Sequence, residues 1–534
     1  MKKIALLVPS LVLVALVSCS STYVTTPIKL KQNNIESKLV IEKSGSLNSV
    51  KLSYTYTESE TTRAFNADVC NGLNADTCSK NMDMLKNDPI FATNSSDFSD
   101  DGGYIVDGYK INYTAVGAFG ERRNLSGSIL VPQMDTALIK GVVLFFAPTI
   151  VGSTNALSYT FRDGLNMILA KELANQGYIV VSSDYIGMGD DGNVPHPYVI
   201  YPRENTNAAL SMLVAFRNFA NSNNLPLPNS PLNLYVAGFS EGGAYALWFN
   251  KLSTKDDSYK NILASNGYQL KHTVAIDGAY DVSNYTYGYL MDNVQEDSNK
   301  YNVLSSKTST FVKPSLLSAV LVSYGYYSSH ISQTSESDGF VQYNNVYNNL
   351  FNPSFLYMNC SWYFGAACKL DGNRTNLVDF FMKRNDDYLN SNYSFTPSQA
   401  KFFLALYKSA YDQSLSESGP SYGFDNNSAK ALVNLKLLSN KNFLAKMKQS
   451  NIYSYTAYSP ITLLSLEKDS VVPVLNYREA CANIKMANGT QVQCILLDNN
   501  KIKVKGLIGY DPIDHPTGFG YLLFVARSQF ESSK

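Results

Sequence analysis

Ser240 lies between Gly238 and Gly242 in the stretch LNLYVAGFSEGGAYALWF. A serine hydroxyl becomes a useful nucleophile only when a histidine takes its proton. That histidine in turn needs a carboxylate to hold its tautomer and stabilise the imidazolium. Small residues on both sides of the serine let the chain turn back sharply and leave the hydroxyl alone at the tip, with the Glu241 backbone N–H free to face an oxyanion. A serine in an ordinary glycine-rich bend has the same local spelling, so the rest of the chain must decide. Four histidines are available as the base: His196, His272, His330 and His515.

The elements that must position these groups are legible from periodicity. LNLYVAG is apolar and partly β-branched, as in a buried strand, and AYALWFNKL has helical spacing, so Ser240 sits on a strand–turn–helix junction. YKINYTAVGAFGERRNLSGSILVP alternates on both sides of a glycine-containing turn and predicts a hairpin. VVLFFAP, YIVVSSDY, HTVAIDGAYD, ITLLSLEKD and VQCILLDN are further short apolar runs, and helical stretches such as DGLNMILAKELANQ and NTNAALSMLVAFRNFAN intervene. Strand alternating with helix predicts a mostly parallel sheet covered on both faces, hence an α/β fold.

The alternation stops across residues 282–458, which are helical in pattern and rich in Tyr and Phe. Thr396-Pro397-Ser398-Gln399 is a capping box opening the helix AKFFLALYKSAY, and SAKALVNLKLLSNKNFLAKMKQ is a second helix. An insertion of this size in a parallel-sheet protein is expected to cap the site, although a peripheral packing domain would have the same pattern. The rings of SYGYYSSH and FLYMNCSWYFGAAC would then face Ser240 and favour apolar acyl chains.

GFSEGG, SLEKDSVVP and DHPTG together resemble the α/β-hydrolase superfamily. VVSSDYIGMGDDGNVPHPY, with Asp184, Tyr185, Gly187, Gly189 and His196 to Tyr198, is similar to elements of secretory lipases and related bacterial esterases, a group that carries a helical cap. The resemblance spans roughly residues 103–281 and 457–523. It implies an α/β-hydrolase fold with a mostly parallel central sheet and a large helical cap insertion. It also implies ester hydrolysis through the order serine, acid, histidine. His515, after the strand VQCILLDN, is the histidine in that position. The acid should end the strand ITLLSLEKD. Asp469, in the loop beyond it, is preferred to Glu467, which the strand would hold, and Asp498 after the next strand is a third option. Such enzymes usually have His-Gly after the first central parallel strand, whereas this chain has FFAPTIVGS. Pro148 has no N–H, so Thr149 or Ile150 must supply the second oxyanion donor, and Thr149 is taken as the candidate beside Glu241.

The N-terminus MKKIALLVPSLVLVALVSCSS has two lysines and then an apolar run too short for a comfortable membrane span, which predicts a signal peptide over residues 1–18. Leu16-Val17-Ser18-Cys19 resembles a bacterial lipobox, which implies lipid on the Cys19 thiol, export and membrane anchoring, at the outer membrane if the host is Gram-negative. Residues 19–100 read as a tether and loosely packed N-terminal extension, 101–281 and 459–534 as the two parts of the hydrolase core.

The other six cysteines form local pairs, Cys70 with Cys78, Cys360 with Cys368 and Cys481 with Cys494. Short spacing and an oxidising compartment make three neighbour disulfides the expectation. None of these pairs has zinc spacing, no Gly-rich nucleotide loop is spelled, and 44 basic against 44 acidic residues leave no basic face for nucleic acid. No metal or organic cofactor is therefore expected, and the partners are an ester substrate, small or lipidic, and a membrane surface. Two competing readings share these residues. A prolyl oligopeptidase-type peptidase would need a β-propeller before the core, for which roughly eighty residues are too few. A hydrolase fold used only for binding would have no need of all three triad residue types in order.

Overall fold

A computed structural model describes residues 45–62, 70, 73–87, 103–150, 155–291, 316–328 and 440–532, apart from 192–193, 229–230, 506–509 and a few single positions within those ranges. Its centre is a nine-stranded sheet of order β1-β2-β3-β5-β4-β6-β7-β8-β9. The strands are β1 (Leu47–Tyr56), β2 (Val106–Val116), β3 (Arg122–Pro132), β4 (Gly141–Phe146), β5 (Tyr178–Ser183), β6 (Leu232–Phe239), β7 (Tyr268–Ile276), β8 (Ile461–Leu466) and β9 (Val492–Leu497). Pairing is antiparallel from β1 through β3 to β5 and parallel from β5 through β4, β6, β7 and β8 to β9.

The reason lies in the residue patterns. GVVLFF, YIVVSS and ITLLSL are buried at every position, as strands covered on both faces must be. β2 and β3 form the expected hairpin, in register from Val116 opposite Arg122 to Val106 opposite Pro132. The sheet starts earlier than residue 101, because LNSVKLSYTY, expected within a loosely packed extension, pairs along β2 as the edge strand. Most of its positions are exposed or half-buried, and Lys51 is among the exposed ones, as suits an edge that must not pair with another chain.

Helices flank the sheet: α1 (Leu165–Glu172), α2 (Pro202–Ser222), α3 (Glu241–Lys255), α4 (Lys441–Gln449), α5 (Val474–Asn488) and α6 (His515–Glu531). α2 packs on α3 and on β2 and β5, while α6 packs on α1 and on β6, β7 and β8. The large helical insertion enters between β7 and β8, and most of its described residues are helical. They form a second apolar cluster in which Tyr287, Leu317, Leu321, Tyr324, Tyr327, Phe443 and Met447 close on Tyr198–Tyr201. The three described tyrosines of SYGYYSSH are therefore packing residues: Tyr324 meets Phe443, and Tyr326 and Tyr327 meet Phe119. α4 starts at Lys441 with the Asn440 side chain accepting from Asn442 and Phe443 N–H. The expected helix at AKFFLALYKSAY, the aromatic stretch FLYMNCSWYFGAAC and His330 lie outside the described residues.

Disulfides join Cys70 to Cys78 and Cys481 to Cys494, the latter tying α5 to β9. Cys19 and the pair Cys360 and Cys368 lie outside the described residues. Among the described residues no helix is long and apolar enough to cross a membrane.

Candidate active site

β6 ends at Phe239, Ser240 makes the turn, and α3 begins at Glu241. Ser240 has φ 59° and ψ −121°, a conformation costing a non-glycine residue on the order of 1–3 kcal/mol. The neighbours make it possible. A Cβ on Gly238 would lie 2.0 Å from the Gly242 carbonyl oxygen, and one on Gly242 would lie 2.1 Å from that of Phe146. Both must be glycine for α3 to seat its first turn against the exit of β4. Ser240 N–H donates to the Ile276 carbonyl at the end of β7 (2.9 Å), which pins the turn to the neighbouring strand.

His515 is the first residue of α6, whose start is fixed by a capping box between Asp514 and Thr517. Its Nδ1 lies 2.5 Å from Asp469 Oδ2. The other oxygen of Asp469 accepts from Val471 and Val472 N–H at 2.6 Å each, so three donors orient this fully buried carboxylate. The imidazole stacks on Phe239 with ring centroids 4.6 Å apart, which places it beside the nucleophile turn. No hydrogen bond joins Ser240 Oγ to His515 among the described residues. Catalytic hydrogen bonds are often long in substrate-free enzymes and tighten only with substrate bound. Burial opposes protonation of His515, but the charge and hydrogen bond of Asp469, with Asp277 and Asp514 behind, outweigh it and raise the pKa above the ordinary histidine value.

The competing residues are placed elsewhere. Glu467 is held by β9 through its N–H to the Leu497 carbonyl (2.8 Å), and Asp498 accepts from Asn500 N–H (2.9 Å). His272 is buried within β7 against Thr462 Oγ1, and burial lowers its pKa to about 4. Thr149 follows β4, half-buried, its Oγ1 3.2 Å from the Tyr198 hydroxyl.

Two features went unread in the sequence. Asp277, the first residue past β7, brings a second buried carboxyl to the site: one ligand atom each from Asp277, Asp469 and His515 lie within 4.8 Å of one another. Asp277 Oδ1 accepts from Leu466 N–H (2.9 Å), while Oδ2 is buried without a partner among the described residues. Burial first, and the charge of Asp469 second, push its pKa well above the ordinary carboxylate range. With Asp469 and Asp277 Oδ1 committed to backbone N–H groups and His515 Nδ1 to Asp469, the cluster is better suited to proton chemistry than to holding a metal ion. An aspartate just past the end of a strand was the available signal, in IDG as much as in EKD. The second feature is the Glu241 side chain, which is buried and lies 2.5 Å from both His196 Nε2 and the Tyr245 hydroxyl.

No family model matches the sequence, and no curated protein does. Solved structures do match in fold. A rice cell wall degrading esterase, LipA from Xanthomonas oryzae, superposes with a TM-score of 0.59 at 16% identity, over 92% of this chain and 100% of that one. A Legionella pneumophila protein provisionally described as a hydrolase superposes at 0.55 with 16% identity, over 91% of this chain and 97% of that one. At such identity the likeness speaks to architecture alone. The strand order, the helices flanking the sheet and the large helical insertion between β7 and β8 give this chain the α/β-hydrolase fold.

Proposed function

We propose that this chain is a serine hydrolase of carboxylic esters that works through an acyl-enzyme. Ser240 attacks the ester carbonyl, and His515 accepts the serine proton and passes it to the leaving alcohol. Asp469 holds His515 in the tautomer with Nδ1–H and stabilises the imidazolium. Water then attacks the acyl-enzyme with His515 again as base. The backbone N–H groups of Glu241 and Thr149 bind the oxyanion. Every group in this scheme is a protein group, so no cofactor enters it. The observation that carries the reading is the Asp469–His515 hydrogen bond, set through Phe239 beside a serine held in a strained turn. The esterase description of the Xanthomonas protein, which shares the fold, agrees with it.

Export and anchoring belong to the same proposal: Cys19 carries lipid and Cys360 pairs with Cys368. Mass mapping of non-reduced peptides from membrane fractions tests both, and free thiols at Cys360 and Cys368 would contradict the pairing. A fluorophosphonate probe should label wild-type protein and fail on Ser240→Ala with the fold intact. Persistent labelling of that variant overturns the assignment. On p-nitrophenyl esters, kcat/KM should rise from acetate to medium chains, by roughly fourfold per methylene while the acyl pocket fills, with peptide p-nitroanilides poor substrates. A steady fall from acetate onward removes the acyl pocket from the reading while leaving the esterase in place.

A further inference from the structure

At Glu241, the residue after Ser240, lies a second histidine–carboxylate pair, with no part in the proton transfers above. His196 Nδ1 is 3.0 Å from the Ile186 carbonyl oxygen, which can only accept, so Nδ1 carries a hydrogen. Nε2 faces Glu241 Oε1 at 2.5 Å. That contact needs a hydrogen as well. Either the ring is doubly protonated against a carboxylate, or Glu241 is protonated against a neutral ring, and in both cases the pair holds one shared proton and has no net charge.

Tyr245 donates to the same Glu241 oxygen (2.5 Å) and itself accepts from Asn205 Nδ2 (3.0 Å). The Tyr185 ring stacks on His196 with centroids 5.4 Å apart, and its hydroxyl donates to the Ala147 carbonyl (2.7 Å), in the loop that leads to Thr149. Tyr198 reaches Thr149 Oγ1, and Tyr327 of the insertion donates to the Pro195 carbonyl next to His196 (2.6 Å). One buried network thus grips the residue after the nucleophile and the loop after β4 together.

We propose that His196, Glu241 and Tyr245 form a positioning unit for the oxyanion site: they fix the Glu241 N–H toward the oxyanion and keep the His196–Glu241 pair without net charge beside it. The inference rests on Ser240 being the nucleophile. An uncompensated carboxylate here would lie next to the developing negative charge and oppose it, in a setting where little solvent screens the repulsion. Neutrality, and not only packing, is therefore the role of His196.

The design has a specific test. In Glu241→Gln an amide nitrogen has two hydrogens for the same two partners, His196 Nε2 and the Tyr245 oxygen. The Tyr245 O–H can then turn to the Pro197 carbonyl, already 3.4 Å away. Glu241→Ala should lower kcat on the order of a hundredfold with KM little changed, as loss of an oxyanion donor does, and Glu241→Gln should recover most of that. His196→Ala leaves the carboxylate without its proton-sharing partner and should also lower kcat strongly. Adding Glu241→Gln to His196→Ala should raise kcat again by about tenfold or more. A purely packing role predicts the double variant to be no better than His196→Ala, and that result overturns the inference, as does wild-type kcat in Glu241→Ala. Thermal melts confirm that each variant is folded, and the Gln variants keep the test open if an alanine variant is not. Wild-type labelling at Ser240 is measured in parallel. Labelling together with a failed recovery sinks only the positioning unit, whereas absence of labelling sinks the esterase reading and the unit with it.

Discussion

Two histidines flank Ser240, each against a buried carboxylate, and the differences between them set their tasks apart. His515 spends one nitrogen on Asp469, and Nε2 has no hydrogen-bond partner among the described residues. His196 spends both, on the Ile186 carbonyl and on Glu241. An imidazole with an unused nitrogen can move a proton, while one bonded at both ends is a strut. The surroundings differ in the same sense. Asp469, with Asp277 and Asp514 behind it, raises the proton affinity of His515, which in the proposed mechanism favours the cation formed during acyl transfer. Around His196 stand the rings of Tyr185 and Tyr198 and the Tyr245 hydroxyl shared through Glu241, rigid groups that hold shape. The insertion touches both sides, through Tyr327 at Pro195 and through the Tyr289 hydroxyl at the Ser470 carbonyl (3.1 Å), next to Asp469.

The sharpest way to break this contrast is to remove each ring. His515→Ala should cost kcat about 10⁴- to 10⁶-fold, the scale of losing a triad base, and His196→Ala on the order of a hundredfold. Equal losses in steady-state kinetics would erase the distinction between proton carrier and strut.

Next in size is Asp469→Asn, expected to lower kcat by about 10⁴-fold by disturbing the tautomer and the cation. The pH profile sharpens it. His515 must be neutral to act as base, so kcat/KM rises with pH through its pKa, and the wild-type acid limb should lie above about 6.5. Without the Asp469 charge the cation loses its main support, and the limb should move to lower pH in Asp469→Asn. A limb unchanged in that variant would mean that the titrating group is not His515.

A smaller effect falls on stability alone. Replacing Cys481 and Cys494 by serine opens the link between α5 and β9 and should lower stability by about 2–3 kcal/mol, read from denaturant melts. Such a loss lies far from the chemistry and should leave kcat nearly untouched.

The smallest effect concerns Asp277. Its folded pKa is raised, so it supports stability fully below the unfolded value and loses that contribution as pH rises toward the folded pKa. Asp277→Asn removes this slope and accepts the positive φ of 45° at that position more readily than most residues. Relative to wild type, the variant should therefore gain a few degrees in Tm as pH rises above about 4, the ordinary value of an unfolded aspartate. A Tm difference independent of pH would show that the wild-type carboxyl is ionised throughout.

Much of the hydrolase core was legible residue by residue because its signals are local. Runs such as GVVLFF and ITLLSL must be buried wherever they lie, the glycines around Ser240 spell a turn, and the order of Ser240, Asp469 and His515 along the chain follows from strand order. The proximity of Cys481 and Cys494 follows from α5 leading directly into β9. Other features depended on which separate segments meet. VKLSYTYT is strand-like in the sequence, but only the open edge offered by β2 makes it part of the central sheet. The tyrosines of SYGYYSSH looked like a substrate wall, yet Tyr324 and Tyr327 close a core with Phe443 and Tyr201, since an aromatic run does not state what it packs against. Asp277 and Asp469 sit on neighbouring parallel strands and meet at His515 only when β7, β8 and α6 are assembled. His196 and Glu241, 45 positions apart, meet because the loop after β5 folds over the start of α3. Composition and periodicity determine which segments become strands and helices. Long-range placement in a low-dielectric interior decides which histidine meets Asp469 and which one meets Glu241.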